Sequence, residues 1–356
     1  MALKRITATE LLADPGRFDT VIDARSESEY AEDRLPGAVN WPTLDDAERA
    51  AVGTEYKQVS PFDARKRGAA LAAMNIARHV QQQVMDKPRG WRPLVYCWRG
   101  GQRSGSMALV LDQIGFQVHV LEGGYREFRR AVIAELETRP ARLQLHVLCG
   151  RTGSAKTRLL RALAEDGEQV LDLEALACHR GSVLGPEPGQ PQPSQKAFET
   201  AVWLALRGFD PLRPVFVESE SRTIGRLRVP EALLLRMRAA PCLQVQMPLA
   251  ARVAFLLEDY AHFVNDPAAF CERLEALREL QGKETIAAWQ AEVRAGRVAD
   301  VVQALLERHY DPVYTKSMQR NFTGFASAAV VSLDDTAPAS LQAALTRIKS
   351  AAAGGP

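Results

Sequence analysis

Two glycine-containing loops, each placed directly after an apolar run, constrain the fold of this chain more than any other feature. The first, 97–104, reads Cys-Trp-Arg-Gly-Gly-Gln-Arg-Ser, and the second, 150–157, reads Gly-Arg-Thr-Gly-Ser-Ala-Lys-Thr. A short apolar strand that ends in a glycine loop and continues into a helix is typical of α/β folds. Such loops bind anions through backbone N–H groups, so we expect two anion-binding α/β units.

Apolar runs of strand length occur in two series along the chain. The first series lies at 20–23, 38–40, 94–97 and 118–121, and the second at 145–149, 169–172, 215–218 and 243–246. At 356 residues the chain also exceeds the length at which one hydrophobic core usually stops growing. We therefore predict two α/β domains, 1–138 and 142–356, the second with a parallel sheet, and a boundary between Thr138 and Arg142.

The remaining segments favour helices and loops. Residues 47–85 lack a strong strand signal and predict a helical insertion, and 250–322 predict added helices in the second domain. Residues 181–194 are rich in Gly, Pro and Gln and predict a surface loop with a functional role. A last strand is expected at 330–333, followed by an Ala/Gly tail.

Composition excludes several classes of protein. No apolar run is long enough to span a bilayer, and the N-terminus lacks the apolar core of a secretory signal, so we expect a cytoplasmic protein. The five cysteines, Cys97, Cys149, Cys178, Cys242 and Cys271, include no Cys-x-x-Cys pair. This pattern argues against a disulfide framework and a zinc site, and no dedicated metal-ligating set is predicted.

Basic residues cluster in two segments despite a net charge of only +2. The segment 126–161 carries nine Lys or Arg against three Glu, and 222–238 carries five Arg against one Glu. Such clusters could bind a polyanion such as a nucleic acid. They could equally form the solvated faces of helices, and the charge pattern leaves both interpretations open.

Cys97 is the candidate nucleophile of the first domain. It follows a predicted buried strand and precedes Gly100 and Gly101, whose N–H groups can stabilise a thiolate or a bound oxyanion. The positive charges of Arg99 and Arg103 favour the thiolate and are expected to lower the pKa of the thiol. The alternative is an inert buried cysteine at the end of a strand.

The second loop has the strand–turn–helix context of a phosphate-binding P-loop. Its candidate phosphate-binding residues are Gly150, Thr152, Gly153, Ser154, Lys156, Thr157, Glu218 and Arg222. Lys156 would reach the phosphates, and Glu218, at the end of an apolar strand, could hold Mg²⁺ or its water together with Thr157. Ala155 stands where the usual pattern has glycine, which makes nucleotide hydrolysis less secure than phosphate binding. Asp172 is a weaker acidic candidate and fits an ordinary strand-end carboxylate better.

The first domain resembles the rhodanese family in three motifs. These are Ile22-Asp23-Ala24-Arg25 with Leu35-Pro36-Gly37-Ala38-Val39-Asn40, the Cys97 loop, and Leu121-Glu122-Gly123-Gly124-Tyr125. The resemblance implies a rhodanese-like fold in which Cys97 carries a persulfide or perselenide. The spacing of Cys97 and Arg103, Cys-x5-Arg, is one residue longer than in typical sulfurtransferase loops of the family and indicates a larger anion.

The combination of both domains resembles the tRNA 2-selenouridine synthase family. Further motifs that carry this resemblance begin at His179, Gln192 and Val217. It implies exchange of sulfur for selenium in wobble 2-thiouridine of tRNA, with selenophosphate and geranyl diphosphate as co-substrates and no tightly bound cofactor. The P-loop would then grip a diphosphate, a selenophosphate-producing enzyme becomes a candidate partner, and Arg126, Arg129, Arg130 and Arg226 become candidate tRNA contacts.

Two competing functions remain open from the residues alone. A rhodanese-like cysteine phosphatase or sulfurtransferase fused to a small-molecule kinase would use the same two loops. A non-enzymatic RNA-binding or scaffold protein would retain them as relics, although the intact Cys97, Arg103, Lys156 and Thr157 speak against that.

Overall fold

The computed structural model describes residues 3–179 and 190–353, with the side chains of residues 262 and 263 excepted. The predicted loop at 181–194 therefore lies largely outside the described residues, as does most of the motif that begins at His179. By its contacts the chain divides into two compact units, Met1–Glu135 and Leu136–Pro356. This division falls inside a helix, a few residues before the predicted boundary. Among the described residues, no helix is both long and apolar enough to cross a membrane.

The first unit alternates strands and helices. Its strands are β1 (Lys4–Ile6), β2 (Thr20–Asp23), β3 (Ala38–Asn40), β4 (Pro93–Tyr96) and β5 (His119–Leu121). Its helices are α1 (Ala8–Ala13), α2 (Glu27–Glu32), α3 (Asp46–Gln58), α4 (Pro61–Gln83), α5 (Gln102–Ile114) and α6 (Gly124–Thr138), with a 3₁₀ turn at Pro15–Arg17. Helices α3 and α4 form the predicted insertion; Asp45 caps the first and Ser60 the second.

All strand pairs of the first sheet are parallel, in the order β1-β5-β4-β2-β3. Parallel sheets are covered by helices on both faces, so their strands are apolar throughout. All four residues of β4 are buried accordingly. Because β4 is the middle strand, the residue after its last position, Cys97, lies at the centre of the carboxyl edge of the sheet.

The second unit adds a helical region to a second sheet. Its strands are β6 (Gln144–Gly150), β7 (Gln169–Leu171), β8 (Pro214–Glu218), β9 (Thr223–Ile224), β10 (Leu227–Arg228), β11 (Pro241–Gln246) and β12 (Gly324–Ser332). Its helices are α7 (Lys156–Glu165), α8 (Leu173–Ala177), α9 (Gln195–Gly208), α10 (Glu231–Arg238), α11 (Leu249–Asp259), α12 (Ala261–Asn265), α13 (Pro267–Glu275), α14 (Arg278–Gln281), α15 (Lys283–Arg294), α16 (Val298–Leu305), α17 (Asp311–Asn321) and α18 (Pro338–Ala353). A 3₁₀ turn at Pro140–Arg142 precedes β6, and a π-helical turn, Leu306–Tyr310, joins α16 to α17.

The second sheet is also parallel, in the order β12-β11-β6-β8-β7. Its middle strand, β6, ends at Gly150, so the phosphate loop leaves the centre of this sheet as the cysteine loop leaves the first. The helical region from α11 to the π-helical turn has a core of its own that includes Phe270, Leu274 and Trp289. The predicted α/β class with a parallel sheet and added helices is confirmed.

Two sequence-based expectations need correction. The segment expected to be an Ala/Gly tail forms α18, because Ala344, Leu345 and Ile348 recur at helical spacing and pack into the core of the second sheet. The expected strand at 330–333 is longer, since β12 begins at Gly324. The short edge strand β1 and the two-residue pair of β9 and β10 were not predicted, because runs of two or three residues carry little periodic signal.

If α18 is part of the core, truncating Ile348 to alanine destabilises the protein. Ile348 is fully buried, so the lost methylenes and the cavity left behind should cost about 2–5 kcal/mol in the free energy of unfolding. Denaturant unfolding measures this change. The matched control Gln342→Ala, on the exposed face of the same helix, should change it by less than about 0.5 kcal/mol. Equal small effects of both substitutions would show that α18 does not belong to the core.

Candidate functional site

The Cys97 loop is held in place by close backbone contact with the segment that follows β5. Gly124 has a φ of +60°, and a Cβ there would lie 2.1 Å from the carbonyl oxygen of Cys97 and 2.6 Å from the amide nitrogen of Gly100. Only glycine permits this approach. The motif Gly123-Gly124-Tyr125 thus acts as the floor of the cysteine loop, and the Tyr125 amide donates a hydrogen bond to the Cys97 carbonyl (2.8 Å).

The thiol itself receives two hydrogen bonds from its own loop. The Gly101 amide lies 3.3 Å from the sulfur of Cys97, and the Ser104 hydroxyl lies 3.2 Å from it. Cys97 is 3% exposed, and α5 begins at Gln102 directly after the loop. A helix N-terminus and two donors aimed at one sulfur favour a negative charge on that atom or on a group bound to it.

A buried arginine joins the motifs on which the rhodanese resemblance rests. Arg25 is 1% exposed and forms a bidentate ion pair with Asp23, with a shortest distance of 2.6 Å. Its guanidinium lies 4.1 Å from the centre of the Tyr125 ring, and Tyr96 donates a hydrogen bond to the same aspartate (2.6 Å). Because a buried charge needs partners, this network specifies the positions of β2, β4 and the start of α6.

The two loop arginines differ in their surroundings. Arg103 pairs with Glu29 at 2.6 Å, and Arg49 also reaches that carboxylate. Although burial opposes its charge, the hydrogen bond and charge of Arg103 hold the pKa of Glu29 below its usual range. Arg99 is exposed at the loop. The Glu29 carboxylate therefore neutralises part of the charge of Arg103, whereas Arg99 forms no ion pair with Glu29.

One residue of the phosphate loop, Ala155, has a left-handed backbone conformation. Ala155 has φ +56° and ψ 28°, a conformation that costs an L-residue about 1–2 kcal/mol because its Cβ approaches the next carbonyl oxygen. Its methyl group is buried in the core of the second sheet, which offsets part of that cost. A Cβ on Gly150 would lie 2.5 Å from the Ser154 hydroxyl, so the loop needs glycine at its first position.

Lys156 and Thr157 open α7 and face the carboxylates at the ends of the neighbouring strands. The Lys156 ammonium donates to the Gly150 carbonyl (2.9 Å), back across the loop. The Thr157 hydroxyl donates to Glu218 (2.6 Å) and lies 3.3 Å from Glu174. The loop lysine and threonine thus lie beside Glu218 at the end of β8.

Three carboxylates converge beside Thr157. Oxygen atoms of Glu174, Glu218 and Glu220 all lie within 4.8 Å of one another. Burial, followed by repulsion from Glu218 and Glu220, raises the pKa of Glu174 to about 9. Burial and repulsion from Glu218 raise the pKa of Glu220 to about 7, and burial raises the pKa of Glu218, opposed by the charge of Lys156. Like charges this close cannot all ionise without a compensating cation.

The donor set fits a hard divalent cation. Carboxylate oxygens and a threonine hydroxyl are ligands that Mg²⁺ accepts, and the ion usually takes its remaining ligands from water and phosphate. Glu174, Glu218 and Thr157 would hold it beside the phosphate loop. Glu174 was not predicted as a site residue, since nothing in its spacing marks it, whereas Asp172 caps α8 through the Ala175 amide (2.8 Å) as an ordinary strand-end carboxylate.

Side chains of the helical region also form hydrogen bonds with the phosphate loop. Arg252 of α11 is 2% exposed, donates to the Thr152 carbonyl (2.8 Å) and forms a bidentate ion pair with Asp311. The Tyr314 hydroxyl of α17 accepts a hydrogen bond from the Gly150 amide. Burial raises the pKa of Tyr314, so its hydroxyl keeps its proton. These residues lie more than ninety positions beyond the loop, which is why sequence reasoning missed them.

One cavity of about 630 Å³ in the second unit connects these groups. Its polar side is formed by the phosphate loop, the three glutamates and the exposed Arg222. The helical region lines the same cavity with the apolar and aromatic side chains Phe255, Leu256, Tyr260, Tyr310, Val313, Tyr314, Met318 and Phe322, and with the polar Asp259, His309, Ser317 and Asn321. The cavity therefore offers both phosphate-binding groups and apolar surface to a ligand.

The arginines predicted to contact tRNA are not among the residues that line this cavity. Arg126 and Arg130 are exposed on α6 and both pair with Glu127, at 3.5 and 2.6 Å. Arg129 lies between them, partly buried. Arg226 sits in the turn between β9 and β10 and donates to the carbonyl oxygen of Gln192 (2.5 Å). Their role as tRNA contacts stays a prediction.

Replacing Glu174 with glutamine should stabilise the metal-free protein at high pH only. Below about pH 4.5 the Glu174 carboxyl is protonated in both the folded and the unfolded state. The substitution therefore leaves the free energy of unfolding nearly unchanged there. Between that pH and the folded pKa of about 9, the folded state must keep a proton that the unfolded state releases, and stability falls. In EDTA, we expect Glu174→Gln to raise Tm by several degrees at about pH 8 and very little at about pH 4.5.

Thermal melts at the two pH values measure this difference. The control Glu165→Gln, at an exposed position of α7, should leave Tm unchanged at both. A Tm gain of the same size at both pH values would contradict the account, because it would reflect packing and not the proton.

Two family models match separate parts of this chain. A rhodanese-like domain model matches residues 7–131, and a model described as the tRNA 2-selenouridine synthase AAA domain matches residues 143–294. A solved rhodanese-related protein from Thermoplasma volcanium is 17% identical, with a TM-score of 0.24; the match covers 36% of this chain and 92% of that protein.

Two curated relatives carry the same name, tRNA 2-selenouridine synthase. The protein from Nitrosomonas europaea is 38% identical over 247 residues, which cover 67% of this chain and 63% of the relative. The protein from Bdellovibrio bacteriovorus is 30% identical over 369 residues, covering 90% of this chain and 94% of the relative. By its two domains and its similarity along nearly its whole length, this chain belongs to the tRNA 2-selenouridine synthase family.

Proposed function

We propose that this protein is a transferase that replaces sulfur with selenium in wobble 2-thiouridine of tRNA. Selenophosphate would supply the selenium, and geranyl diphosphate would first alkylate the sulfur. The observation that carries this proposal is a single cavity lined by both the phosphate loop and a set of apolar and aromatic side chains. Geranyl diphosphate has the matching character, since it joins a diphosphate to a ten-carbon hydrocarbon chain.

Alkylation takes place at the phosphate loop. The thiocarbonyl sulfur of the base attacks C1 of the geranyl group, and the bond from C1 to the diphosphate oxygen breaks. The leaving diphosphate takes the bonding electrons, and Lys156 and the loop amides stabilise the charge that develops on it. A Mg²⁺ ion held by Glu218 and Thr157 would neutralise further phosphate charge.

Selenium transfer takes place at the Cys97 loop. A selenium nucleophile supplied by selenophosphate attacks C2 of the base, and geranylthiol leaves with the former sulfur. Water takes the place of selenium on phosphorus, so phosphate is the second product. The hydrogen bonds that Gly101 and Ser104 donate to Cys97 support this assignment, because they stabilise negative charge at that position.

The remaining requirements concern partners. A tRNA substrate would bind through Arg126, Arg129, Arg130 and Arg226, and its affinity would fall with salt as counterions are released. A selenophosphate-producing enzyme would supply the selenium donor. A free thiol at Cys97 and a tRNA substrate both fit the cytoplasm.

Nucleoside analysis tests the proposal directly. The protein is incubated with 2-thiouridine tRNA, geranyl diphosphate and selenophosphate, and the digested RNA is examined by mass spectrometry. We expect geranylthiouridine and then selenouridine. If neither forms, while the protein releases phosphate from ATP or a phosphoester without tRNA, the alternative of a cysteine phosphatase or sulfurtransferase fused to a kinase is favoured.

Substitutions at the two loops should separate the two steps. Lys156→Ala removes a charge from the diphosphate site and should lower the rate of geranylation about a hundredfold or more. Cys97→Ala should leave geranylation within about twofold and abolish selenouridine. The matched controls are Lys283→Ala, exposed at the start of α15 and outside the cavity lining, and Ser106→Ala on α5. Equal loss of both products in each loop variant would contradict this division of labour.

A further inference from the structure

A second, smaller cavity lies inside the helical region of the second unit. Its volume is about 50 Å³, and its walls are largely aliphatic, with Leu256, Leu257, Val302, Leu305 and Leu306 among them. A space of 10–15 Å³ suffices for one water molecule, so this one has room for several atoms of a ligand. Because apolar cavities exclude water and accept apolar groups, its natural occupant is hydrocarbon. We call it the inner cavity.

The inner cavity adjoins the cavity at the phosphate loop. Four residues line both of them: Thr152, Leu256, Tyr260 and Tyr310. Thr152 belongs to the phosphate loop, so the inner cavity directly adjoins that loop. The two tyrosines, Tyr260 and Tyr310, therefore lie at the boundary that a chain attached to a phosphate at the loop would cross.

The π-helical turn shapes this junction. Leu306 and Tyr310 begin and end the turn, and both line the inner cavity. A π-helical turn inserts an extra residue into a helix, which widens the local backbone, and such turns occur frequently at functional sites. Here the turn lies between α16, which supplies Val302, and α17, which supplies Tyr314 to the phosphate loop.

We propose that the inner cavity receives the far end of the hydrocarbon chain of the diphosphate substrate and selects its length. This inference rests on the proposed function and adds the residues that set specificity. A five-carbon prenyl chain would stay in the outer cavity, whereas the last isoprene unit of a ten-carbon chain enters the inner one. Removing that unit from water and packing it among aliphatic side chains supplies binding energy that the shorter chain lacks.

Filling the inner cavity should change the preference for chain length. Val302→Trp adds more volume than the cavity holds, so we expect KM for geranyl diphosphate to rise about tenfold or more. KM for the five-carbon dimethylallyl diphosphate should stay within about twofold. The control Gln303→Trp, exposed on the same helix and outside the cavity lining, should keep the preference of the unaltered protein.

Enlarging the inner cavity gives the complementary test, which does not depend on whether the tryptophan variant folds. Val302→Ala should lower KM for the fifteen-carbon farnesyl diphosphate about threefold or more relative to geranyl diphosphate. Each variant is compared with the unaltered protein on thiolated tRNA with all three diphosphates. Inorganic diphosphate, as a competitor, should bind all of the proteins alike.

The outcomes separate the inference from the function on which it rests. If the unaltered protein alkylates tRNA but both Val302 variants keep its chain-length preference within twofold, the inner cavity does not select the chain and the inference is overturned. If the unaltered protein alkylates tRNA with none of the three diphosphates, the proposed function fails, and the inference fails with it.

Discussion

Close packing at the carboxyl end of each middle strand is the constraint on which both candidate sites depend. In the first unit a Cβ on Gly124 would lie 2.1 Å from the Cys97 carbonyl oxygen, and in the second a Cβ on Gly150 would lie 2.5 Å from the Ser154 hydroxyl. Glycine at both positions therefore allows each loop to fold back on itself. The following helix, α5 or α7, then adds its N-terminus, and each unit gains a site for an anion.

The three carboxylates beside the phosphate loop need a bound cation if all of them are to be ionised. Glu174, Glu218 and Glu220 are gathered beside Lys156, and Arg161 also acts on Glu218, yet in the absence of a bound cation burial and mutual repulsion favour the protonated carboxyl groups. A divalent cation bound with a diphosphate would remove this conflict. The apolar side chains that line the same cavity would favour a prenyl diphosphate over a small phosphorylated metabolite, because only a prenyl chain gains free energy by being buried among them.

Sequence reasoning found the parts of each site that are local in the chain. Cys97, Lys156 and Thr157 follow apolar strands directly, so strand–loop–helix chemistry identifies them. It missed Glu174, Arg252 and Tyr314, which reach the phosphate loop through tertiary packing and have no local signal. It also took α18 for a tail, since an alanine-rich segment at the end of a chain shows its apolar face only when a core is present to receive Ile348. Site residues next to a loop in the sequence could be predicted, and those brought to the loop by tertiary packing could not, whatever their residue type.

The central claim is that the two loops serve different anions, with the diphosphate held in the second unit alone. Calorimetric titration of geranyl diphosphate into the unaltered protein, Cys97→Ala and Lys156→Ala tests it without any turnover. The account predicts that Cys97→Ala binds within about twofold of the unaltered protein and that Lys156→Ala binds about tenfold more weakly or worse, as expected for losing a charged hydrogen-bond donor. Equal weakening in both variants, or unchanged binding by Lys156→Ala, would contradict it.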